Sequence, residues 1–417
     1  MRDPDLTVLD PPAGHLDEAA VRGELAKVFD VCAGCRRCLD RCDLFPGLVD
    51  IVERVGEAGM MTPADQDRVV DACHGCGACR HGCPFAPGVH DAAVDVPSLV
   101  LRSAAMRRAS GQQPPADRRA SLVLGDRRRW TLLASLPAPV RRFAARSIGL
   151  GSRRMATLVR SARVRSGRMA TVAGATDGAI AAAVIVPTCL TEAFRPGVRH
   201  DIAAAAGTLG VTCRTSYGGC CGAGALHAGD LRRFRRSARR MVADLDVHVA
   251  AGAVVVVPEA ACAEVMRRHH PEVLGGATAA RVAAAVIGPI EFLSRAVGGV
   301  DSLVPPSTAG GERILLVAGP SGPDGSETRA AVATLEALGN TVVVAEEGTG
   351  VAGPWGLRAG NDPVASGAWA RLAARAAAVG ADRVLSGDVV WPVGPDGIGE
   401  PSAVGHPAEV VARAIVS

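Results

Sequence analysis

Two cysteine runs near the amino end decide how the first hundred residues of this chain fold. Residues 32–42 read CAGCRRCLDRC and residues 73–84 read CHGCGACRHGCP, so both contain the spacing C-x-x-C-x-x-C-x-x-x-C. In proteins with two cubane iron–sulfur clusters, three thiolates of such a run bind one cube and the fourth binds the other. The sequence therefore predicts two 4Fe-4S clusters with interleaved ligands. One predicted set is Cys32, Cys35, Cys38 and Cys83, and the other is Cys73, Cys76, Cys79 and Cys42.

Disulfides and zinc are the alternative uses of these cysteines. A disulfide framework is typical of short secreted chains, whereas this chain has 417 residues and starts with the charged, polar segment Met1–Asp10. Zinc sites usually combine two separated C-x-x-C pairs, which three close cysteines plus a fourth do not match. The first run continues into Asp43 where the second has Pro84, a small departure because proline donates no ligand to iron.

The segment between the two runs predicts a helix, a turn and a second helix. Thr62 can cap the second helix, and Pro63 suits its first position. A long helical insert separates the runs more widely than in a compact β-type ferredoxin. Residues 1–100 are therefore predicted to form an all-α ferredoxin domain that holds both clusters.

Residues 101–177 are predicted to be an arginine-rich helical connector. Although the whole chain has a net charge of only +4, the stretch Arg102–Arg168 contains 17 arginines and two acids, Asp117 and Asp126. Such a block is either a solvated helical surface or a dock for an acidic subunit or an anionic membrane. Nucleic acid is not an expected partner, because aromatic residues are sparse here and no binding motif is present.

The thirteen cysteines favour a reducing compartment, in which cysteine clusters bind metals. No apolar run approaches the roughly 18 residues that a membrane-spanning helix needs. The expected location is the cytoplasm, with peripheral contact at the inner face of the cell membrane left open.

From about residue 178 the pattern changes to short β-branched runs that alternate with amphipathic stretches, which is typical of a parallel α/β sheet. The predicted strands are Ala182–Val186, Val211–Thr215, Ala253–Val257, Arg313–Val317, Thr341–Ala345 and Arg383–Ser386. The predicted helices are Val198–Leu209, Asp230–Val247, Cys262–His269, Glu327–Leu338, Ala365–Val379 and Pro407–Val416.

This α/β part is predicted to be duplicated, with one copy at 178–300 and a second at 301–417. The segment 220–224, which reads CCGAG, corresponds to the segment 348–353, which reads GTGVAG. Further along the chain, residues 254–262 correspond to residues 384–391, and the distance from the preceding motif is nearly the same in both copies. Because the second copy has no cysteine, we expect it to be degenerate.

Four cysteines of the first copy form a second candidate metal site. The predicted ligands are Cys189, Cys220, Cys221 and Cys262. Three of them follow the carboxyl ends of predicted strands, where parallel sheets carry their ligand sites, and Cys220 is adjacent to one of these. Cys213 fits no pattern and is expected to be a buried core residue.

The arrangement of Cys189, the Cys220–Gly222 motif and Cys262 resembles the cysteine-rich CCG domain. This domain occurs in the heterodisulfide reductase B subunit and in the iron–sulfur subunits of anaerobic glycerol-3-phosphate dehydrogenase and glycolate oxidase. The last two also share the order of helical two-cluster ferredoxin, connector and two CCG domains. The resemblance implies an iron–sulfur electron-transfer subunit whose partner is a flavoprotein dehydrogenase or another redox subunit.

The chain departs from that resemblance in two respects. Glu259 stands where many CCG domains have a further cysteine. It could supply an oxygen ligand, but we expect it to be an exposed glutamate at the start of a helix. The second copy has lost the expected cysteines, so it is predicted to be a scaffold over the first site or a partner surface. The residues at those positions are Ser321, Gly348, Thr349, Asp388 and Trp391.

Three hypotheses for the function remain at this point. In the first, electrons pass through the two clusters and a CCG-domain metal site, either a further iron–sulfur cluster or zinc, between a dehydrogenase and a downstream acceptor. In the second, the CCG site carries out thiol or disulfide chemistry, as the likeness to heterodisulfide reductase implies. In the third, the CCG site is structural zinc or a redox thiol pair. The sequence identifies no catalytic residue, and the site assignments are metal ligands alone.

Overall fold

The fold was examined in a computed structural model of the chain. The structure describes residues 16–151, 180–299, 311–319, 325–345, 353–388 and 404–416, apart from residues 40, 41, 43, 81, 125, 181, 217 and 354. The candidate positions Ser321, Gly348, Thr349 and Trp391, and the end of the connector from residue 152, lie outside these ranges.

The described residues from 16 to 151 are helical, as the sequence predicts for this part. Thr62 and Asp65 form a capping box at the start of the third helix, and Pro63 occupies its first turn, which confirms the predicted start. The helices are α1 Glu18–Cys35, α2 Leu44–Val55, α3 Pro63–Asp71, α4 Val96–Ala109, α5 Pro115–Leu124, α6 Arg127–Ser135 and α7 Ala138–Ser147.

The remaining described residues form two small parallel sheets with helices around them. The strand order is β2-β1-β3-β4 in the first sheet and β6-β5-β7-β8 in the second, so the two sheets have the same topology. The strands are β1 Ala182–Ile185, β2 Thr212–Thr215, β3 Val254–Val256, β4 Val286–Ile287, β5 Arg313–Val317, β6 Thr341–Ala345, β7 Arg383–Leu385 and β8 Val404–Gly405.

Helices surround both sheets and account for most of the α/β part. They are α8 Cys189–Phe194, α9 Gly197–Thr208, α10 Ala223–His227, α11 Leu231–Val249, α12 Ala260–Glu264, α13 His270–Leu274, α14 Gly276–Ala284, α15 Pro289–Ala296, α16 Ser326–Ala337, α17 Asp362–Ala378 and α18 Pro407–Val416. A π-helical turn, Val265–His269, joins α12 to α13.

One apolar core joins the two sheets. Ile185 and Val256 of the first sheet belong to the same buried cluster as Ile314 and Leu385 of the second. The closing helix α18 contributes to this cluster. The two α/β units are therefore held together by hydrophobic burial, which is non-directional and scales with apolar area.

His406 adds a polar connection between the two units. Its Nε2 lies 2.9 Å from the carbonyl oxygen of Pro258, and its Nδ1 accepts a hydrogen bond from the backbone N–H of Ala408 at 3.1 Å. This arrangement requires a neutral ring that carries its proton on Nε2. Burial lowers the pKa of His406 to about 4, which keeps the ring in that neutral form.

Several arginines of the connector turn out to be structural. Arg102 pairs with Glu24 of α1, and Arg108 pairs with Asp230 at 2.6 Å. Arg107 pairs with Asp71 at the end of α3. These residues bind the connector to the helices before it and after it, so they do not form a free surface.

Candidate metal and redox site

The first group of thiols lies at the end of α1 and in the second cysteine run. Cys32 interacts electrostatically with Cys38, Cys83 and Cys35, although Cys83 is 51 residues away in the chain. Burial and these neighbouring sulfurs together raise the pKa of Cys32 to about 12. All four sulfurs line one cavity of about 30 Å³, together with apolar side chains such as Val31 and Phe45.

The second group of thiols surrounds a neighbouring cavity of about 20 Å³. Its walls include Cys42, Cys73, Cys76 and Cys79. Burial is the main cause that raises the pKa of all four thiols, to about 12 for Cys73. Cys79 also interacts electrostatically with Cys38, so the two thiol groups adjoin each other.

The third group lies at the carboxyl ends of the strands of the first sheet. Cys189 begins α8 four residues after β1 ends at Ile185, and Thr188 caps the helix by accepting the N–H of Thr191 at 3.2 Å. Cys220 and Cys221 follow β2, and Cys262 lies in α12 after β3. The parallel topology therefore brings these four residues to one edge of the sheet.

The sulfurs of this third group form a chain of contacts. The thiol of Cys221 lies 3.2 Å from Cys262, and Cys220 is hydrogen-bonded to both Cys189 and Cys221. Hydrogen bonds from Cys189 and Cys221 and the backbone N–H of Gly222, at 3.4 Å, hold the pKa of Cys220 well below its usual range. Cys220 is therefore the most acidic thiol of the group, and all thirteen cysteines of the chain are unbridged.

Gly222 is required by the geometry of this loop. Its φ is +90°, and a Cβ atom placed on it would lie 2.7 Å from Cδ2 of Phe234. Only glycine adopts this conformation without strain while the loop passes so close to an aromatic ring. The glycine therefore lets the vicinal pair turn its sulfurs toward the same region.

The connector covers the third group. Leu124, Trp130 and Leu133 pack with Cys189 and Phe194 in one buried cluster, and the Cys189 sulfur lies 3.8 Å from the carbonyl oxygen of Leu124. Cys189 is buried in this cluster, whereas Cys221 and Cys262 are buried in the core of the first α/β unit. The site is thus shielded from water by helices that carry no predicted ligand.

Glu259 is not the exposed residue that the sequence suggests. It does precede a helix, α12, but its side chain is fully buried. Its Oε2 accepts a hydrogen bond from Thr191 at 3.3 Å, and its charge acts on Cys189. The expectation of an exposed glutamate was wrong because the second α/β unit covers this position.

The covering residue is Asp388 of the second α/β unit, where the sequence comparison with the first unit leads us to expect a cysteine. Its carboxyl group accepts the backbone N–H of Ala261 at 3.1 Å and is hydrogen-bonded to Glu259. Burial raises the pKa of Asp388 to about 6. Asp388 also interacts electrostatically with Cys76, so the two carboxyl groups lie between the second thiol group and the third.

His74 lies beside the second thiol group, whereas His90 and Cys213 lie apart from all three groups. His74 is buried, with its ring centroid 4.5 Å from that of Trp355, and His90 packs on Phe85. Cys213 lies in β2 within the core between the sheets, where burial raises its pKa to about 12. His81, next to the second run, is outside the described residues.

Among the described residues, no three or more His, Cys, Asp or Glu side chains are arranged around a single metal ion. The many cysteines are nevertheless consistent with metal or iron–sulfur binding. Each ferredoxin-type set lines one cavity, with Cys79 contributing to both, and burial raises the pKa of thiols such as Cys32 and Cys73, which disfavours their ionisation unless positive charge lies nearby. Metal ions supply such charge and deprotonate coordinating thiols.

Comparison with known proteins gives one match. The family model described as the cysteine-rich domain, CCG, matches residues 183–267, a range that contains all four cysteines of the third group. This match supports a CCG cysteine-rich domain in this part of the chain and is consistent with a metal-binding redox subunit. No curated protein and no solved structure matches the chain.

No helix in the described part of the chain is both long enough and apolar enough to cross a bilayer.

Proposed function

We propose that this protein is an iron–sulfur electron-transfer subunit of an oxidoreductase complex. Electrons would enter from a partner, of which a flavoprotein dehydrogenase is the expected kind, and leave to a downstream acceptor. They would pass through two 4Fe-4S clusters and a metal site at the third thiol group. The two clusters would be held by the interleaved sets Cys32, Cys35, Cys38, Cys83 and Cys42, Cys73, Cys76, Cys79.

One observation carries this proposal: the three thiol groups form a continuous series through the molecule. The first adjoins the second through Cys38 and Cys79. The second reaches the third through Asp388 and Glu259, which lie between Cys76 and Cys189. Redox centres at such neighbouring positions could exchange single electrons, while the second α/β unit positions Asp388 and encloses the route.

The test is anaerobic capture of the tagged full-length protein, with mass spectrometry of the subunits that co-purify. We expect a flavoprotein to co-purify. Addition of its hydroxy-acid or polyol substrate should bleach the visible absorbance of the clusters. The variant Cys76→Ser should retain the partner but block bleaching beyond the second cluster, whereas Cys213→Ser should change neither. Capture of no redox protein, or full bleaching in Cys76→Ser, would contradict the proposed route.

A second function is supported by the environment of Cys220. Hydrogen bonds from two thiols and one backbone N–H lower the pKa of Cys220, so it could attack a disulfide and expel one thiol; two electrons from the clusters would then cleave the mixed disulfide and release the second thiol. Reduced protein would then cleave a small disulfide, and Cys221→Ser would abolish turnover without changing the cluster spectra. Absence of turnover would eliminate this function.

The third hypothesis, structural zinc or a redox thiol pair at the CCG site, is separated from the others by metal analysis. About one zinc per chain would support structural zinc. Iron and sulfide beyond the contents of two cubes would support a further cluster.

The connector supplies a proposed contact with an anionic membrane surface. Phe143 is 75% exposed and Leu132 is 67% exposed, and exposed arginines such as Arg142 and Arg146 lie among them. Exposed apolar side chains among cations match the chemistry of a charged lipid interface, which takes up both. Among the described residues of the connector, Asp117 and Asp126 are the only acids. The duplicated, degenerate organisation proposed for the α/β part is supported by the shared strand order of its two sheets.

Vesicle sedimentation tests this contact. The protein should bind vesicles with anionic lipid more tightly than neutral ones, and added salt should weaken the binding. Phe143→Ser should weaken binding at unchanged charge, and Arg142→Glu with Arg146→Glu should weaken it further. Equal binding to neutral and anionic vesicles would overturn the membrane contact. It would also be overturned if the protein bound no vesicles and bound only an acidic protein subunit.

A further inference from the structure

A cavity of about 390 Å³ lies where all parts of the described structure meet. Its wall includes Cys73–Gly77 of the second cysteine run, helix α4, His227 of α10 and the segment 355–361 of the second α/β unit. Cavities of about 300–1,000 Å³ are typical of small-molecule sites. It is separate from the small cavity enclosed by the second thiol group, although Cys73 and Cys76 contribute to both.

The cavity contains an arginine that lacks a protein partner. Among the described residues, none forms a hydrogen bond or an ion pair with the Arg358 guanidinium, and its Nε atom is buried without an acceptor. Asp117 and Asp71, which also line the cavity, act on it electrostatically without forming a hydrogen bond or an ion pair, and the Asp71 carboxylate is paired with Arg107. Arg358 is half-buried, and leaving its buried Nε without an acceptor is costly, so a bound anion would offset that cost.

The rest of the wall combines charged side chains, among them Glu264 and Arg268, with apolar surface that suits an organic molecule. Trp355 is 5% exposed and lies beside His74, and Val100 and Leu101 add apolar surface. His227 is neutral at physiological pH, since burial lowers its pKa to about 3. Its ring could therefore accept or donate one hydrogen bond without adding charge.

We propose that this cavity binds a small organic acid, whose acid group accepts hydrogen bonds from Arg358 while its apolar part contacts Trp355. The bound molecule would lie next to the Cys73–Gly77 segment, at the middle of the series of thiol groups. This site goes beyond the electron route proposed above, because that route needs no small-molecule ligand. Carboxylate and phosphate share the required chemistry, so the probes distinguish them.

Isothermal titration of the anaerobic full-length protein with oxalate, inorganic phosphate and neutral oxamide tests the site. Oxalate should bind and oxamide should not, and binding of phosphate alone would assign the site to phosphate esters within the same anionic class. Arg358→Met should weaken binding by about 10- to 100-fold, the usual effect of losing a charged hydrogen bond. Arg375→Met, at an exposed arginine of α17, should leave the affinity unchanged.

Hydrogen exchange of the wild-type protein gives a second test that does not depend on whether a variant folds. Oxalate should slow amide exchange in residues 355–361 and 73–77 and leave helix α14 unchanged. Failure of both anions to bind at millimolar concentration, equal affinity in Arg358→Met, or protection only outside the cavity would each overturn the proposal.

Discussion

Replacement of Gly75 by alanine tests how tightly the cluster-binding run is fitted to the first α/β unit. Gly75 lies between Cys73 and Cys76 with φ at +72°, and an added Cβ would lie 2.4 Å from Cε1 of His227. The left-handed conformation costs a non-glycine residue about 1–2 kcal/mol. Overpacking against the ring adds about 1–3 kcal/mol, so Gly75→Ala should lower the free energy of unfolding by about 2–5 kcal/mol in total.

A double-mutant cycle separates the two contributions. His227→Ala removes the ring, so the double variant should recover the overpacking part and show a coupling energy of about 1–3 kcal/mol. Gly88→Ala is the matched control, because Gly88 also has a positive φ, +81°, but no atom within 4 Å of an added Cβ. Gly88→Ala should lose only the part of the unfolding free energy that comes from the left-handed backbone conformation, and it should show no coupling to His227.

The assay is urea unfolding of anaerobic protein under identical conditions for all variants, followed by far-UV circular dichroism. Visible absorbance at the same urea concentrations would report whether the second cluster is lost before the chain unfolds. A coupling below about 0.5 kcal/mol, the usual limit of additivity for independent sites, would refute the close contact between Gly75 and His227. Equal costs for Gly75→Ala and Gly88→Ala would refute it as well.

Two further predictions concern the interleaved ligands and the junction between the α/β units. Cys83→Ser should remove about four iron atoms and give the reduced EPR spectrum of Cys32→Ser, whereas a spectrum like that of Cys73→Ser would disprove the interleaving. The folded His406 has a pKa of about 4, below the value of about 6.5 in an unfolded chain, so the stabilisation by its neutral ring, whose Nδ1 accepts the Ala408 N–H, is fully present above pH 6.5 and is lost as the pH falls toward 4. His406→Gln should therefore reduce the loss of unfolding free energy between pH 7 and 5.5 by about 1 kcal/mol, measured by urea titration, and an unchanged loss would contradict this assignment.

Much of the α/β architecture could be predicted because β-branched runs and amphipathic spacing are local signals. Six predicted strands agree with β1, β2, β3, β5, β6 and β7 to within one residue at either end. The strands β4 and β8 were missed because each has two residues, Val286–Ile287 and Val404–Gly405, too few for a periodic pattern. The short helix α8 was also missed, although Thr188 before Cys189 is a usable capping signal.

The candidate sites show a similar division. The cysteine spacing alone predicted the members of the three thiol groups, and the structure places these members near one another. Iron binding by them stays a prediction. The burial of Glu259 could not be predicted, because Asp388, which lies against it, is 129 residues further along the chain. The cavity around Arg358 had no sequence signal either, since its walls come from segments that are distant in the chain.

The most direct test of the central claim is iron and sulfide analysis combined with low-temperature EPR of anaerobically purified protein. The account predicts a brown protein with about eight iron and eight sulfide in the two cubes, and further metal at the Cys189 group. Reduction with dithionite should produce signals of two neighbouring, interacting clusters. Colourless protein without an EPR signal after reduction would contradict the account.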